Sequence, residues 1–252
     1  AAKFVVSGHE SYQIKGKRYL VEKGEYILGN AGTMASIEIN GHDDTKGLCV
    51  DISERIINEV ADYHFSQSGD LKEFLLTDQF LVNTYKARNT NLGYALHEIN
   101  RQVSGGQHSN ELLNTELFYS IAESIVADQA IIYEQYSRLQ FKKTETRQSL
   151  FRQLLEAREY MDAHLSDDIH LDQIIRNAFM SKYHFIRLFK ATFILSPYQY
   201  ILRKRLESAR VQLLGGSNVT ETAFDAGYPD SSSFSKAFKA AFGVTPSSVK
   251  LK

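Results

Sequence analysis

The feature that most constrains the fold is a short pattern at residues 182–190 that recurs once further along the chain. Phe185, Leu188 and Phe189 are spaced i, i+3 and i+4, so they fall on one face of a helix, and the polar residues between them point elsewhere. A second copy at residues 230–239 repeats the spacing about 49 positions later. The matched pairs are Phe185 with Phe234, Arg187 with Lys236, Phe189 with Phe238, and Lys190 with Lys239. Each copy predicts a helix with one apolar face and one cationic face. Two such helices indicate binding to one extended polyanion.

The charge is divided unevenly between the two ends of the chain. The formal net charge of −1 combines −5 for residues 1–143 with +4 for residues 144–252, and residues 169–252 alone carry +7. A length of 252 residues favours two domains, and 43% apolar residues are enough for packed cores. This asymmetry favours a nucleic-acid-binding module at the C-terminal end.

Several features indicate a cytoplasmic protein. No apolar run approaches the roughly 18 residues of a membrane span, and the chain does not open with a secretory leader. Cys49 is the only cysteine, so neither an internal disulfide nor a cysteine-based zinc site can form. We expect Cys49 to be a small apolar residue at the end of a strand, and we expect the protein to act in the cytoplasm, at the nucleoid.

The first 52 residues predict a small antiparallel β-domain. Short apolar or alternating runs are separated by glycine-containing turns every 6–12 residues. The runs lie at 4–6, 12–14, 18–21, 26–28, 34–37 and 48–50. This spacing is typical of a roll or small barrel. Because the chain opens directly in a strand and without Met, we expect preceding residues to be missing.

Residues 53–143 predict a helical part of the same domain, which then spans residues 1–143. Ser53 is a candidate N-cap for the first helix, and the last helix carries a long apolar stripe and could break near Asp128. The predicted helices are 54–63, 71–76, 78–86, 91–103 and 109–139. The stripe of helix 109–139 either packs within its own domain or forms a homodimer surface.

Residues 144–252 predict an all-α domain with two helix-turn-helix units. A polar segment at 142–146 marks the boundary, and an amphipathic helix follows at 147–165. The first unit is 171–193, with a helix at 171–178, a turn at 179–181 and Ser181 as the cap of the next helix. The second unit is 219–242, in which Asn218 caps the first helix, Gly227 supplies the turn and Asp230 caps the second helix. Between them Ser196-Pro197 starts a linker helix, 197–214, of roughly 27 Å. That length could hold the two units near one turn of DNA apart, about 34 Å.

Residues 169–250 resemble the AraC/XylS family of bacterial transcription regulators. The shared positions run through both units and the linker helix, and the strands at the N-terminus are similar to the cupin-like regulatory domains of that family. The shared positions include Ser181, Phe185, Arg187, Phe189, Lys190, Ser196, Pro197, Tyr200, Arg205, Leu206, Ala209, Ala223, Gly227, Phe234, Phe238, Lys239, Phe242, Gly243 and Pro246. The resemblance implies a multidomain α+β fold and double-stranded DNA, read in two successive major grooves, as the partner. The chain departs from the family pattern at Ile175, Thr222 and Pro229; the buried hydroxyl of Thr222 would need a backbone acceptor, and Pro229 could shift the start of the second recognition helix.

The resemblance also implies which side chains face DNA. The base-facing candidates are Lys182, Tyr183, Ile186 and Arg187 in the first unit and Ser231, Ser232, Ser233, Ser235 and Lys236 in the second. The phosphate-contacting candidates are Ser181, His184, Lys190, Arg203, Arg205, Asn218 and Lys239. Arg187 could donate to O6 and N7 of a guanine and Ile186 could contact a thymine methyl, whereas short hydroxyls reach phosphates or water more readily. We therefore expect more sequence specificity from the first unit and more positioning from the second.

Control of such a regulator has two interpretations. A small effector would need a cavity among the strands, lined by Tyr12, Tyr19, Tyr26 and Ile37. The alternative is a regulatory protein partner, or dimerisation, with no small ligand.

A metal-dependent enzyme with a cupin fold is the remote alternative. Its candidate ligands are His9, Glu10, His42, Asp43 and Asp44, but the ordered His-x-His and Glu pattern of metal cupins is missing from the sequence, as are the common nucleotide-binding and nucleophile motifs. We therefore expect no enzyme activity, no metal and no cofactor.

Overall fold

A computed structural model describes residues 1–38, 44–64, 69–105, 114–167, 169–175 and 180–249. The chain forms two compact units, Ala1–Ser137 and Arg138–Lys252. The sequence places the boundary after residue 143, but Leu139 is buried and Arg138 donates from Nη1 to the carbonyl oxygen of Thr192 at 2.9 Å, inside the second unit. The first unit combines antiparallel sheets with helices and the second is all-helical, as the α+β interpretation predicts. None of the helices within the described ranges is long and apolar enough to cross a membrane.

The N-terminal unit is built on two antiparallel sheets. One has the strand order β6-β1-β4-β7 and the other β3-β2-β5. The strands are β1 Ala2–Ser7, β2 His9–Ile14, β3 Lys17–Glu22, β4 Glu25–Leu28, β5 Ala35–Glu38, β6 Lys46–Val50 and β7 Asn83–Lys86. Lys15 and Gly16 join β2 to β3 with φ of +48° and +76°, the two positive values that a tight type I′ hairpin requires.

A small apolar core lies between the sheets. Val5 and Ile27 of the first sheet pack with Tyr12, Ile14 and Val21 of the second, and all are less than 5% exposed. Alternating side chains along each strand therefore supply the inner faces.

The predicted helix at 78–86 is wrong, because its second half is strand β7. Residues 83–86 pair antiparallel with β4, and the Tyr85 ring stacks on that of Tyr26 at 5.2 Å between centroids. A short 3-10 helix, Ala87–Asn89, follows. The free edge of β4 decides the conformation, and nothing within residues 78–86 reveals that edge.

Four helices complete the described part of the N-terminal unit: α1 Glu54–His64, α2 Gly69–Leu76, α3 Asn91–Ser104 and α4 Thr115–Ser137. Ser53 caps α1, with its Oγ accepting from the backbone N–H of Ile56 at 3.4 Å. The predicted helix 109–139 begins in a segment that lies partly outside the described residues. The predicted break near Asp128 is wrong: α4 continues through it, and the Asp128 carboxylate accepts from the first backbone N–H groups of α3 at 2.9 and 3.1 Å. A residue that is often found at helix ends here caps a neighbouring helix instead.

Cys49 differs from its expected environment. It lies on β6, at the end of the sheet, but it is exposed, and the ammonium group of Lys3 on the neighbouring strand donates to its Sγ. The residue is therefore on the surface of the unit rather than in its core.

The C-terminal unit has six α-helices within the described residues: α5 Thr144–Ala163, α6 Leu171–Ile175, α7 Lys182–Phe193, α8 Pro197–Leu214, α9 Val219–Asp225 and α10 Ser231–Phe242. A short 3-10 helix, Pro246–Ser248, follows α10. Helix α5 begins at Thr144, three residues before the predicted start at residue 147. The helix predicted at 171–178 is described only to Ile175, and residues 176–179 of the predicted helix and turn lie outside the described residues. Helix α8 starts with a capping box in which the side chains of Ser196 and Gln199 each accept from the other's backbone N–H.

Helices α7 and α10 are close structural copies. Each has 12 residues, and each buries two phenylalanines completely on its inner face. The ring centroids of Phe185 and Phe189 are 5.6 Å apart in α7, and those of Phe234 and Phe238 are 5.5 Å apart in α10. The apolar back that the sequence predicts for both helices is therefore confirmed.

Thr222 shows how the second copy tolerates a departure from the family pattern. Its side chain is 1% exposed, and its hydroxyl donates to the carbonyl oxygen of Asn218 at 2.8 Å, the acceptor that the sequence required. Pro229 does not shift the helix: α10 starts at Ser231 after an Asp230 cap, just as α7 starts at Lys182 after a Ser181 cap.

Candidate nucleic-acid interface

The outer face of α7 presents most of the base-facing candidates to solvent. Ser181 caps the helix, accepting from the backbone N–H of His184 at 3.3 Å. Lys182, Tyr183 and Arg187 are exposed, with Tyr183 exposed to 78%, while Ile186 is half-buried. The Lys182 ammonium lies 3.2 Å from a carboxylate oxygen of Asp172, a surface ion pair of little energy that a phosphate could replace. Helix α7 thus offers an aromatic ring, an aliphatic side chain and two cations on one face.

The corresponding face of α10 carries mainly short hydroxyls, and two of them, those of Ser231 and Ser233, are bonded within the unit. Asp230 caps the helix by accepting from the backbone N–H of Ser233 at 2.7 Å, and this bond lowers the pKa of its carboxyl. Ser233 Oγ donates to the same carboxylate at 2.9 Å, and Ser231 Oγ lies 3.3 Å from the Thr220 hydroxyl. Of the remaining candidates, Ser232 and Lys236 are exposed and Ser235 is half-buried.

Thr220 belongs to this face although the sequence did not single it out. It lies at the second position of α9 and is exposed, and its hydroxyl adjoins the first residue of α10. The sequence could have indicated Thr220 through its position two residues after the cap Asn218, whose side chain accepts from the Thr220 backbone N–H at 2.7 Å.

The phosphate-contacting candidates divide into two groups. Lys190 and Lys239 lie in the last turns of α7 and α10 and are exposed, at matching positions. His184 is half-buried, and Ser181 and Asn218 are exposed cap residues.

Arg203 and Arg205 form the second group because their guanidinium groups bond within the protein. Arg203 donates from Nε to Glu207 and from Nη1 to the carbonyl oxygen of Ala241, both at 3.1 Å, and it lies over the Phe242 ring. Arg205 donates from Nε to the carbonyl oxygen of Leu165 at 2.8 Å and from Nη2 to that of Asp167 at 2.7 Å. Binding a phosphate would break bonds to carbonyls that these arginines now satisfy.

The residues expected to line an effector cavity lie in the core or on the surface of the N-terminal unit. Tyr12 and Tyr19 belong to the core between the sheets, Tyr26 is completely buried with its hydroxyl donating to Thr90 Oγ1 at 3.0 Å, and Ile37 is 50% exposed on β5. Burial raises the pKa values of the Tyr12 and Tyr26 hydroxyls.

A cavity of about 200 Å³ lies elsewhere in the N-terminal unit, between the end of β4 and helices α1, α2 and α4. Its lining is mostly apolar and includes the carboxylates of Asp51 and Glu54. It is lined by Ala1, Leu28, Gly29, Asn30, Ala31, Asp51, Ile52, Glu54, Ile57, Leu75, Leu76, Phe80 and Ile125.

The metal-site candidates do not converge in the part of the chain that the structure describes. Glu10 accepts a hydrogen bond from the Tyr12 hydroxyl, and Asp44 pairs with Lys46 at 3.2 Å. Among the described residues there is no group of three or more His, Cys, Asp or Glu side chains that could hold a metal ion, and His42 and Asp43 lie outside that part.

Part of this chain is similar to known proteins. A family model described as a helix-turn-helix domain matches residues 174–251. The probable transcriptional regulator LumQ of Photobacterium leiognathi is 35% identical over 89 residues, covering 34% of this chain and 36% of LumQ. The regulatory protein PocR of Salmonella typhimurium is 34% identical over 92 residues, covering 36% of this chain and 30% of PocR. The chain thus spans about a third of the length of these curated relatives.

One solved structure matches part of the chain. The crystal structure of a transcriptional regulator with an AraC-type DNA-binding domain from Chromobacterium violaceum is 26% identical, covers 39% of this chain and 88% of that one, and superposes with a TM-score of 0.37. The match to the family model, residues 174–251, holds the caps Ser181 and Asp230, the helices α7 and α10 with their buried phenylalanine pairs, and the linker helix α8. Residues 174–251 of the C-terminal unit therefore match a helix-turn-helix domain.

Proposed function

We propose that the protein is a sequence-specific DNA-binding transcription regulator whose helices α7 and α10 enter two successive major grooves. The observation that carries the proposal is the structural repetition: two helices of equal length, with equivalent caps and buried phenylalanine pairs, turn exposed polar faces outward. A major groove accommodates one α-helix, and two helices on one rigid unit suit two adjacent grooves. The names of LumQ and PocR describe regulators, which supports the proposal.

The two helices contribute differently in this proposal. On α7, Arg187 is exposed and has the fork of donors that can bridge O6 and N7 of a guanine, while Lys182, Tyr183 and Ile186 extend the same face. On α10 the hydroxyls of Ser231 and Ser233 are engaged near the cap. Helix α7 therefore carries most of the base discrimination, and Ser232, Ser235 and Lys236 contribute mainly to positioning.

The proposed phosphate contacts come from the helix ends. Lys190 and Lys239 occupy equivalent last-turn positions, and Ser181, His184 and Asn218 lie at or near the caps of α7 and α9. We leave Arg203 and Arg205 out of this set, since their donors are bonded within the unit.

A titration with an Arg187→Ala variant tests the assignment. The wild-type protein first selects a duplex from a randomised pool; both proteins are then titrated with that duplex and with a random duplex. Loss of a bidentate contact should weaken binding to the selected duplex by about 1–3 kcal/mol and leave the random duplex nearly unchanged. The matched control is Lys190→Ala, which should weaken both duplexes alike and reduce the salt slope by about one. Equal weakening of both duplexes by Arg187→Ala would contradict the specificity assignment.

We also propose that a small effector acts through the N-terminal unit and that regulation takes place in the cytoplasm, without catalysis. The cavity of about 200 Å³ is small beside the usual range of roughly 300–1,000 Å³, so it suits a compact molecule with an apolar body. A thermal-shift screen against small metabolites tests this, with Ala31→Leu as a variant that narrows the cavity and should abolish any shift. No shift with any compound would favour control by a partner.

The alternative is control by a second copy or another protein on the groove between α3 and α4. This groove has a volume of about 740 Å³, and Tyr94 and Ile131 beside it are 77% and 55% exposed. Large exposed apolar side chains at a groove are typical of an interaction surface. A sizing column run at several protein concentrations would detect a dimer, and Ile131→Lys should shift it toward monomer.

A further inference from the structure

The C-terminal end of α5 is bonded to α8 at two places. The Tyr200 hydroxyl on α8 donates to both carboxylate oxygens of Asp162, in the last turn of α5, at 2.9 and 3.0 Å. Less than two turns further along α8, Arg205 donates to the carbonyl oxygens of Leu165 and Asp167, which follow α5, at 2.8 and 2.7 Å. These bonds hold α8 in one rotation against the end of α5.

Each of the two α8 residues also touches a different helix-turn-helix unit. The Tyr200 ring stands edge-on to Phe189, the buried anchor of α7, with 5.7 Å between the ring centroids. Arg205 Nη1 lies against Gly227, in the turn between α9 and α10, where an added Cβ would come within 2.7 Å of it. Gly227 also has a φ of +78°, which favours glycine on backbone grounds. The end of α5 is thus linked to α7 through Tyr200 and to the second unit's turn through Arg205.

The contacts of Arg205 need the shape of a guanidinium group. Its planar fork donates to two carbonyl oxygens, those of Leu165 and Asp167, while its third nitrogen fills the space that Gly227 leaves open. A lysine has one nitrogen on a flexible stem and cannot make both bonds and the packing contact together. A phosphate-binding role, by contrast, needs only a positive charge, so Arg→Lys separates the two roles.

We propose that the C-terminal turn of α5 sets the relative position of the two helix-turn-helix units, and that Arg205 is the positioning residue for the second. The proposal rests on the DNA-binding function proposed above. Because α5 is the first helix of the C-terminal unit, a displacement of its C-terminal end is passed through Tyr200 and Arg205 to both recognition helices. DNA binding by the second unit therefore depends on a residue that does not touch DNA.

The test compares Arg205→Lys with wild-type protein on the duplex that the wild type selects from a randomised pool. Hydroxyl-radical footprinting should retain the half-site read by α7 and lose the half-site read by α10, with affinity weaker by on the order of tenfold or more. The salt slope should also fall, because the phosphate contacts of the second unit are lost together. Arg210→Lys is the matched control: the same substitution on the same helix, at an exposed residue that lies over the Phe242 ring, should leave both half-sites protected.

Two other outcomes distinguish the positioning role of Arg205 from the DNA-binding function. Unchanged footprints and salt slope for Arg205→Lys would overturn the positioning role of Arg205 and leave the DNA-binding function standing. A pool selection by the wild type that yields no common sequence would overturn the proposed function and this inference with it. If circular dichroism shows that Arg205→Lys does not fold, Gly227→Ala displaces the same guanidinium from the other side, and it should likewise remove only the α10 half-site; protection of both half-sites by that variant would overturn the inference.

Discussion

Gly243 ends α10 with a φ of +74°, and replacing it with alanine should destabilise the C-terminal unit by about 1–2 kcal/mol. No atom lies within 4 Å of a Cβ built at this position, so the cost comes from the backbone conformation alone. Ile194 occupies the equivalent position after α7 with a φ of +70°, an uncommon conformation for a β-branched residue. Ile194→Gly should therefore change stability in the opposite direction. The gain is smaller than the loss at Gly243, because the isoleucine side chain is 62% exposed and its remaining burial is given up.

Differential scanning calorimetry measures the effect as a shift in Tm. With about 2.1 cal/mol/K of unfolding entropy per residue, 1–2 kcal/mol in a unit of this size corresponds to a Tm lower by about 4–8 °C. Gly69→Ala at the start of α2 is the control, since its φ lies outside the left-handed region and its Cβ would meet no atom within 4 Å. That variant should be neutral or slightly stabilising. An unchanged Tm for Gly243→Ala would refute the reasoning from backbone strain.

Three further predictions concern capping and burial. Thr222→Ser removes a buried methyl group and should lower the free energy of unfolding, measured by chemical denaturation, by about 1 kcal/mol. Thr222→Val should be nearly neutral, because the Asn218 carbonyl oxygen still accepts from the backbone N–H of residue 222. A larger loss of stability for the valine variant than for the serine variant would contradict this. Asp128→Ala removes the acceptor for the first backbone N–H groups of α3 and should destabilise the N-terminal unit by about 1–2 kcal/mol. An unchanged denaturation midpoint would show that this carboxylate does not stabilise α3. The hydrogen bond from the Ser233 N–H holds the pKa of Asp230 low, so the carboxylate's stabilising contribution is present above the unfolded-state pKa of about 4 and is lost as the pH falls through the lower folded-state pKa. Asp230→Asn still caps α10 but does not titrate, so its stability should fall less steeply in acid. Parallel stability profiles of the two proteins in acid would contradict this.

The parts of the fold that the sequence predicted are those decided by neighbouring residues. The Lys15-Gly16 turn is followed and preceded by alternating strands, and both residues take the positive φ that the hairpin needs. Caps at Ser181 and Asp230 likewise act on N–H groups three residues ahead. Such features depend on local geometry, which sequence patterns record directly.

The parts that the sequence did not predict depend on distant partners. Strand β7 forms because β4, far earlier in the chain, offers a free edge. Asp128 resembles a helix-ending residue until α3 places two N–H groups beside its carboxylate. Arg205 resembles a phosphate ligand until the fold brings Leu165 and Asp167 to its side chain. In each case tertiary packing supplied a partner that no nearby residue indicates.

The most direct test of the central claim is a hydroxyl-radical footprint of the wild-type protein on a duplex that it selects from a randomised pool. Helix α8, of 18 residues and therefore roughly 27 Å long, separates the two helix-turn-helix units. If α7 and α10 occupy successive major grooves, the footprint will show two protected segments on one face of the DNA, with centres about 10–10.5 base pairs apart. A single protected segment, or two segments on opposite faces, would contradict the claim that α7 and α10 occupy successive major grooves.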